Sequence, residues 1–417
     1  MKPSTISILR PAFITSTLKL GGASTFLLNI AKGLSNKKIQ FLVCSMDSNH
    51  QMKKDFKLIE KNVVLFDEKE NIFEDRVGHL YKRLKEFNPT HVVSTLGAAS
   101  FEILRYLPSG VGRIAIIQSD DPGPYQCVKL YKKYLQAIGG VSKTIQEKLK
   151  NFPEIQKIPI GDVRYGVQGN RNKNKLGSKH LKILYCGRIV EEQKRIFLLP
   201  IILKGLDKAG LKYELTMAGG GKELREMRRL LKPWVKQKKV FITGPINQKA
   251  VSRLMSKHDV FLLFSDYEGL PISLLEALAH GLLPVVSDLG REFREIIKGT
   301  GGHVVDPRKP QNYAKAILKI TKDSYKLLKY KRLCQTKWGA EYSLEAMTRR
   351  WITFLNSVPT QNLTWKEWDA SPRIQAPLPL QNKNLFRPFF RPFRRMHKYF
   401  NKKICAALSI PGKFVAH

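Results

Sequence analysis

Two glutamates eight positions apart, Glu268 and Glu276, flank a stretch whose residue types suit the handling of a diphosphate. The stretch reads Glu268-Gly269-Leu270-Pro271-Ile272-Ser273-Leu274-Leu275-Glu276-Ala277-Leu278-Ala279-His280-Gly281. An apolar run from Asp259 to Ser265 precedes it, and a second from Leu282 to Ser287 follows. Strand, loop, helix and strand in this order predict a parallel βαβ unit. Pro271 suits the first helical turn and Gly281 the C-terminal stop. The helix would then open at the carboxyl end of a parallel strand, where free N–H groups attract phosphate. Glu268 lies just outside that helix end, and Glu276 about 7.5 Å further along the axis. Two carboxylates so placed can hold hydroxyls on both sides of a diphosphate, the layout of a nucleotide-sugar.

A second constellation is Tyr185-Cys186-Gly187-Arg188-Ile189-Val190-Glu191-Glu192-Gln193-Lys194-Arg195. A strand pattern ends at Gly187, and Arg188 and Lys194 follow within one loop and helix start. Fixed cations there neutralise a departing diphosphate without reorganisation. Lys194 and Arg195 are adjacent, so spacing leaves the second cation open by one place.

These residues carry a resemblance. The Glu268–Glu276 stretch resembles the Glu-x7-Glu motif of retaining glycosyltransferases of the GT-B fold, family 4. Gly187-Arg188 with Lys194 is similar to that family's Gly-Arg…Lys signature. Ala218-Gly219-Gly220-Gly221, Gly244-Pro245-Ile246, Ser265, Pro284-Val285-Val286-Ser287 and Gly302-His303-Val304-Val305 fall in the family's order. So, in the first half, do Gly21-Gly22-Ala23 and Gly140-Val141-Ser142-Lys143. The resemblance covers about residues 5–356 and is specific over 183–306. It implies that Glu268 contacts the transferred sugar, Glu276 the ribose, and Arg188 and Lys194 the diphosphate. Gly21, Gly22, Gly187, Gly244, Pro245, Gly269, Leu270, Pro271 and Ile272 would complete the donor site. Many family members carry a His-Asp pair where this chain has Gln118-Ser119-Asp120-Asp121. Gln118 cannot accept a proton, so Gln118, Asp120 and Asp121 are expected on the acceptor side without a catalytic histidine.

The elements that must position these groups alternate. Ile6–Leu9, Ile39–Cys44, Val63–Phe66, His91–Ser94 and Ile114–Ile117 read as short strands, with a glycine loop at Gly21-Gly22 and a helix over Phe26–Leu34. After a polar, basic linker at 169–180, Leu181–Cys186, Tyr213–Ala218 and Val240–Ile242 read as strands and Ile196–Leu206 and Lys222–Leu231 as helices. The expected class is α/β: two Rossmann-like doubly wound domains, 1–168 on the acceptor side and 181–337 on the nucleotide-sugar side, facing across a cleft. A helix over 338–356 would cross back to the first domain, as in the family, and 357–417 would be a basic aromatic tail. Gly219-Gly220-Gly221 lacks the spacing of a dinucleotide fingerprint. Glu276 and His280 stand at a ligand spacing, but no third ligand is evident, so no metal and no cofactor are expected.

Charge points to partners. The chain has 417 residues and 73 Lys+Arg against 34 Asp+Glu, a net charge of +39, which favours polyanions of any kind. Residues 381–417 carry nine Lys/Arg and no acid, leaving +30 on the rest, so the bias is global. Within that tail Phe386-Arg387-Pro388-Phe389-Phe390-Arg391-Pro392-Phe393-Arg394-Arg395 interleaves rings and guanidinium groups, a pattern open to three readings: a solvated, disordered tail, an anionic membrane interface, or single-stranded nucleic acid as the least favoured. Five scattered cysteines, Cys44, Cys127, Cys186, Cys334 and Cys405, suggest a reducing compartment. The first residues hold too short an apolar stretch for a secretory signal, and no run approaches the ~20 apolar residues of a membrane span. A cytoplasmic protein, peripheral on a membrane face, is expected.

The resemblance thus implies retaining transfer of a hexosyl group from a nucleotide-diphosphate sugar to a glycan, lipid-linked or phosphorylated acceptor. A nucleotide-sugar 2-epimerase on the same architecture is the competing enzyme reading. A basic nucleic-acid-binding protein is the non-enzyme one, disfavoured because the basic residues are distributed without a recognisable module.

Overall fold

The computed structural model describes residues 9–19, 21–46, 51–57, 63–65, 73–95, 97–120, 122–169, 180–321 and 324–368. Residues 6–8 of the first expected strand, most of the 169–180 linker, Asp121 and the tail from 369 onward lie outside them.

Among the described residues thirteen strands form two all-parallel sheets. The first holds β1 (Pro11–Thr15), β2 (Leu42–Ser45), β3 (Val63–Leu65), β4 (His91–Ser94), β5 (Gly112–Ile117), β6 (Ala137–Gly140) and β7 (Ile160–Asp162), in the order β3-β2-β1-β4-β5-β6-β7. The second holds β8 (Leu181–Cys186), β9 (Tyr213–Ala218), β10 (Val240–Gly244), β11 (Val260–Leu263), β12 (Leu283–Ser287) and β13 (His303–Val305), in the order β10-β9-β8-β11-β12-β13. Helices cover both faces of such sheets, which is why their strands read as unbroken apolar runs. The strand order reverses between β1 and β4 and between β8 and β11. These are the switch points where open α/β sheets take ligands. The chain is therefore α/β with the two doubly wound lobes expected from its sequence.

Three expectations need correction. The first described strand is Pro11–Thr15; of the expected Ile6–Leu9 strand only Leu9 is described and it precedes this one, and proline is tolerated as the first residue of a strand. Pro271 sits at the cap position, with φ −70° and ψ 114°, and the helix proper is Ile272–Ala279. The helix expected over 338–356 is two helices, Ser324–Glu341 and Leu344–Asn356. Ser343 breaks it by capping the second, its Oγ accepting from the Ala346 N–H at 3.2 Å.

The second of these helices lies on the first lobe. Trp351 meets Phe13 edge-on with ring centroids 5.5 Å apart. A Cβ on Gly33 would stand 2.0 Å from Thr348 Oγ1, so the Thr348 side chain of the helix Leu344–Asn356 packs directly on the Gly33 backbone of the helix Gly22–Asn36. Beyond it the chain straps across the same lobe. Trp365 and Trp368 pack on Tyr81, with centroids 5.4 and 5.0 Å away, and Trp368 also meets Tyr106. The Tyr81 hydroxyl donates to the Lys366 carbonyl at 2.8 Å, and Trp365 Nε1 to Asn88 Oδ1 at 2.8 Å.

A clasp joins the lobes beside the cleft. Glu292, buried in the Arg291–Ile297 helix, accepts from the Lys143 N–H at 3.0 Å and the Thr144 N–H at 3.3 Å, at the start of the Lys143–Lys150 helix. Its carboxylate satisfies donors that the helix itself cannot.

Candidate functional site

The Ile272–Ala279 helix is no solvated amphipathic surface element. Ile272, Leu274, Leu275, Ala277, Leu278 and Ala279 are all buried, and the helix packs against Gly22–Asn36 of the first lobe and Ser324–Glu341 of the second. Gly281, with φ +73°, terminates it in the left-handed conformation that glycine adopts without strain. Its N-terminus follows β11 at the switch point. Leu270 and Ile272 are 2% and 6% exposed, so their side chains belong to the core, and the free backbone N–H groups of the first helical turn are what this end presents.

Around that helix end the expected residues assemble. Glu268 and Lys194 form an ion pair with both side chains almost fully buried, and Ser265 Oγ donates to the same Glu268 oxygen at 2.7 Å. Gln193 ties the two loops together: its Nε2 donates to the Tyr267 carbonyl at 3.0 Å, its side-chain oxygen accepts from Arg188, and its carbonyl takes the Asp266 N–H at 2.9 Å. Arg188 is exposed at the mouth. Arg195 turns away, with φ +43° and ion pairs to Glu191 and Asp266, which leaves Lys194 as the cation beside Glu268.

Glu276 is 7% exposed. Burial pushes its carboxyl up to about 7, against the opposing pull of the hydrogen bond from Gln248 and of the Lys32 ammonium across the cleft. A carboxylate acceptor this deep needs donors, and a ribose diol would supply them.

The first lobe closes the other side. The Gln118 carbonyl lies against Gly269, where an added Cβ would come within 2.4 Å of its oxygen. Gln118 is 8% exposed, and neither its amide nitrogen nor its amide oxygen has a hydrogen-bond partner among the described residues. Asp120 is engaged within the first lobe, by the Tyr125 hydroxyl at 2.8 Å and by Lys148 at 2.5 Å. Gly21 and Gly22 open the Gly22–Asn36 helix, with no atom within 4 Å of where their Cβ atoms would be. In the second lobe, Gly219 lies so close to the Gly187 carbonyl that a Cβ would stand 1.8 Å from it, and Pro245 covers Gly220. The triple glycine thus lets the Gly187 and Gly244 loops close in on it from either side; the Gly219 N–H donates to the Gly244 carbonyl at 3.0 Å.

Sequence reasoning missed Gln193, Gln248 and Glu292, whose importance comes from partners distant in the chain. His280 is held by Ser252 Oγ at 3.0 Å and by the Glu276 carbonyl at 2.8 Å, so it bonds the backbone and not the carboxylate of Glu276. Among the described residues no three His, Cys, Asp or Glu side chains converge as a metal site would need, and no helix is long and apolar enough to cross a membrane.

Residues 167–335 match the family model described as glycosyl transferases group 1. Among curated proteins, the chain is 28% identical over 189 residues to the amylovoran biosynthesis glycosyltransferase AmsD of Erwinia amylovora, covering 45% of this chain and 51% of that one. It is 31% identical over 177 residues to the O-antigen biosynthesis glycosyltransferase WbnH of Escherichia coli, covering 41% and 48%. The chain thus spans about half the length of the curated relatives it matches. Its fold matches Anabaena Alr3699/HepE, solved in complex with UDP and glucose, with TM-score 0.67 at 15% identity over 84% of this chain and 100% of that one. It also matches the lipopolysaccharide outer core galactosyltransferase WaaB in its apo form, with TM-score 0.61 at 18% identity over 84% and 99%. Residues 167–335, which carry Arg188, Lys194, Glu268 and Glu276, are thus similar to glycosyl transferases group 1, and the chain has the GT-B fold of these solved structures.

Proposed function

We propose that this protein is a retaining hexosyltransferase of family 4 type, moving a sugar from a nucleotide-diphosphate donor to a glycan, lipid-linked or phosphorylated acceptor. The observation that carries this reading is the bracketing of one helix N-terminus by the buried Lys194–Glu268 pair on one side and the buried Glu276 on the other. The donor diphosphate lies on the helix end, its ribose hydroxyls on Glu276 and its sugar beside Glu268. In the reaction the bond between the anomeric carbon and the phosphate oxygen breaks, and the nucleoside diphosphate leaves with the electron pair. Arg188, Lys194 and the free N–H groups take up the charge that develops. The acceptor oxygen bonds to the anomeric carbon on the face just vacated, and its proton passes to the leaving phosphate oxygen. Gln118 needs no proton-accepting role in this scheme, and Glu268 orients the sugar without becoming a nucleophile.

The relatives' roles in amylovoran and O-antigen biosynthesis support a glycan acceptor, and the UDP held by the Anabaena protein makes uridine the first base to test. Work at a membrane face from the cytoplasm fits the charge of +39 and an acceptor carried on lipid.

The test is release of nucleoside diphosphate from a panel of uridine, guanosine and adenosine diphosphate sugars, with and without glycan acceptors, after a screen for thermal stabilisation by each donor. A ligand at a hundred times its Kd adds about 2.7 kcal/mol, which a melting curve resolves. Release that depends on acceptor, with an α-linked product from an α-linked donor, supports the reading. Release without acceptor and with an altered sugar configuration favours the epimerase, and stabilisation by none of the donors overturns both.

A further inference from the structure

The outer edge of the second lobe carries a surface that the transfer site does not use. Among the described residues β10 is an edge strand, paired with β9 alone, and Phe241 on it is 46% exposed. Val235, at the end of the short Lys232–Lys236 helix, is 42% exposed, and the two help line an open groove of about 470 Å³. Large apolar side chains on an exposed edge strand cost solubility unless something covers them.

The charge around them indicates what does. Residues 222–243 hold eight Lys/Arg against two Glu. Glu226 is taken by Arg229, Glu223 by Lys222, and Lys239 binds Asp207 of the neighbouring helix. Arg225, Arg228, Lys232, Lys236 and Lys238 are exposed, with no ion pair among the described residues. Arg228, Lys232 and Lys238 line the groove itself. An apolar centre ringed by unpaired cations is complementary to a surface that offers both anionic headgroups and acyl chains. Single-stranded nucleic acid would instead need successive aromatic platforms. Here Phe241 stands alone, because Trp234 is buried with its Nε1 on Asp207.

We propose that the edge formed by β10 and the Lys232–Lys236 helix is a docking surface for an anionic lipid bilayer, with Phe241 and Val235 entering at headgroup depth and Lys232, Lys236 and Lys238 on lipid phosphates. The surface is built from residues other than the basic sequence 381–417, and it adjoins Gly244, the last residue of β10. Docking there sets the second lobe against the membrane. The inference concerns binding alone and stands whether or not sugar transfer is the reaction.

The experiment measures sedimentation of the full chain with vesicles of phosphatidylglycerol and phosphatidylcholine, and with phosphatidylcholine vesicles as control, over a salt series. Wild type is expected to bind the anionic vesicles and to release partly as salt screens the cations. The triple variant K232E/K236E/K238E should weaken binding about tenfold or more at low salt, and should flatten the salt dependence. The double variant F241S/V235S should weaken it severalfold at every salt concentration, because ring and methyl burial is not screened. Both sets lie on the surface, so unchanged melting temperatures are expected and are checked alongside. Vesicle affinity equal to wild type in both variants overturns the proposal. So does wild-type binding to a single-stranded RNA oligomer, but not to vesicles, that the charge variant abolishes.

Discussion

Gly269 and Gln118 meet backbone to backbone across the cleft, the first lobe's carbonyl lying where the second lobe's residue would carry a side chain. The loop that holds Glu268 is therefore positioned by both lobes, and the closeness of the lobes is built into a glycine. Gly269→Ala should push the lobes apart or strain the loop, costing about 1–3 kcal/mol as overpacking does. The expected result is a lower melting temperature together with turnover reduced more than tenfold. A variant with wild-type melting and turnover would show that the two lobes do not meet here in solution.

Replacing Arg188 or Lys194 with Ala should cut turnover by about 10²–10³, the scale of losing one preorganised stabiliser of developing charge. Lys194→Ala carries a further penalty, since it leaves the buried Glu268 without its cation. Arg195→Ala, which loses only half-exposed pairs, should stay close to wild type. Steady-state release of nucleoside diphosphate separates these outcomes, and an Arg195 variant as damaged as the Lys194 variant would reassign the diphosphate site.

Glu276 gives a pH signature. Its folded carboxyl titrates at about 7, above the unfolded range, so the protonated form is favoured by folding. That stability is fully present below the unfolded value and is lost as pH rises through about 7. Glu276→Gln should thus stabilise the ligand-free protein at pH 8, by at most about 3 kcal/mol, and hardly at all at pH 4. Donor binding runs the other way, because the ionised form accepts the ribose hydroxyls: nucleoside diphosphate affinity should rise from pH 6 to 8 in wild type and lose most of that slope in Glu276→Gln. Calorimetric titration at several pH values decides this, with Glu268→Ala as the comparison expected to retain nucleoside diphosphate binding. Equal losses of affinity in Glu268→Ala and Glu276→Ala would contradict the division of labour between sugar and ribose.

The aromatic strap offers a test without any ligand. Trp368→Ala removes the ring packed on Tyr81 and Tyr106 and should cost about 1–3 kcal/mol. Chemical denaturation followed by tryptophan fluorescence should report an earlier transition for this variant. A chain ending at Val358, lacking the whole strap, should unfold earlier still. Coincident curves for all three proteins would mean that the strap adds nothing to the first lobe.

Much of this architecture was legible before any coordinates. Strands buried on both faces leave uninterrupted apolar runs, and β4, β8 and β9 begin and end where those runs do. β1 was hidden because Pro11 resembles a breaker, although it is harmless at a strand's first residue. The break at Ser343 was hidden because the apolar pattern continues through it, while a single cap hydrogen bond redirects the chain. In the site, the charged residues could be read from their places beside strand ends. Gln248 beside Glu276 could not, since nothing local marks a glutamine one helix away as the partner of that carboxylate. The same holds for Glu292, whose partners Lys143 and Thr144 belong to the other lobe. Spacing shows where chemistry is offered, and only the packed chain shows which neighbours tune it.

The return of the Leu344–Asn356 helix and the Trp365–Trp368 strap to the first lobe makes that lobe discontinuous in sequence, with the second lobe inserted between its parts. Synthesis from the N-terminus therefore finishes the lobes in reverse order. The segment from 181 to 341 is complete and able to close its sheet while the first lobe still lacks Trp351 against Phe13 and the ring stack on Tyr81. Until residue 368 has emerged from the ribosome, those apolar faces remain uncovered, and the lobe begun first is the one finished last.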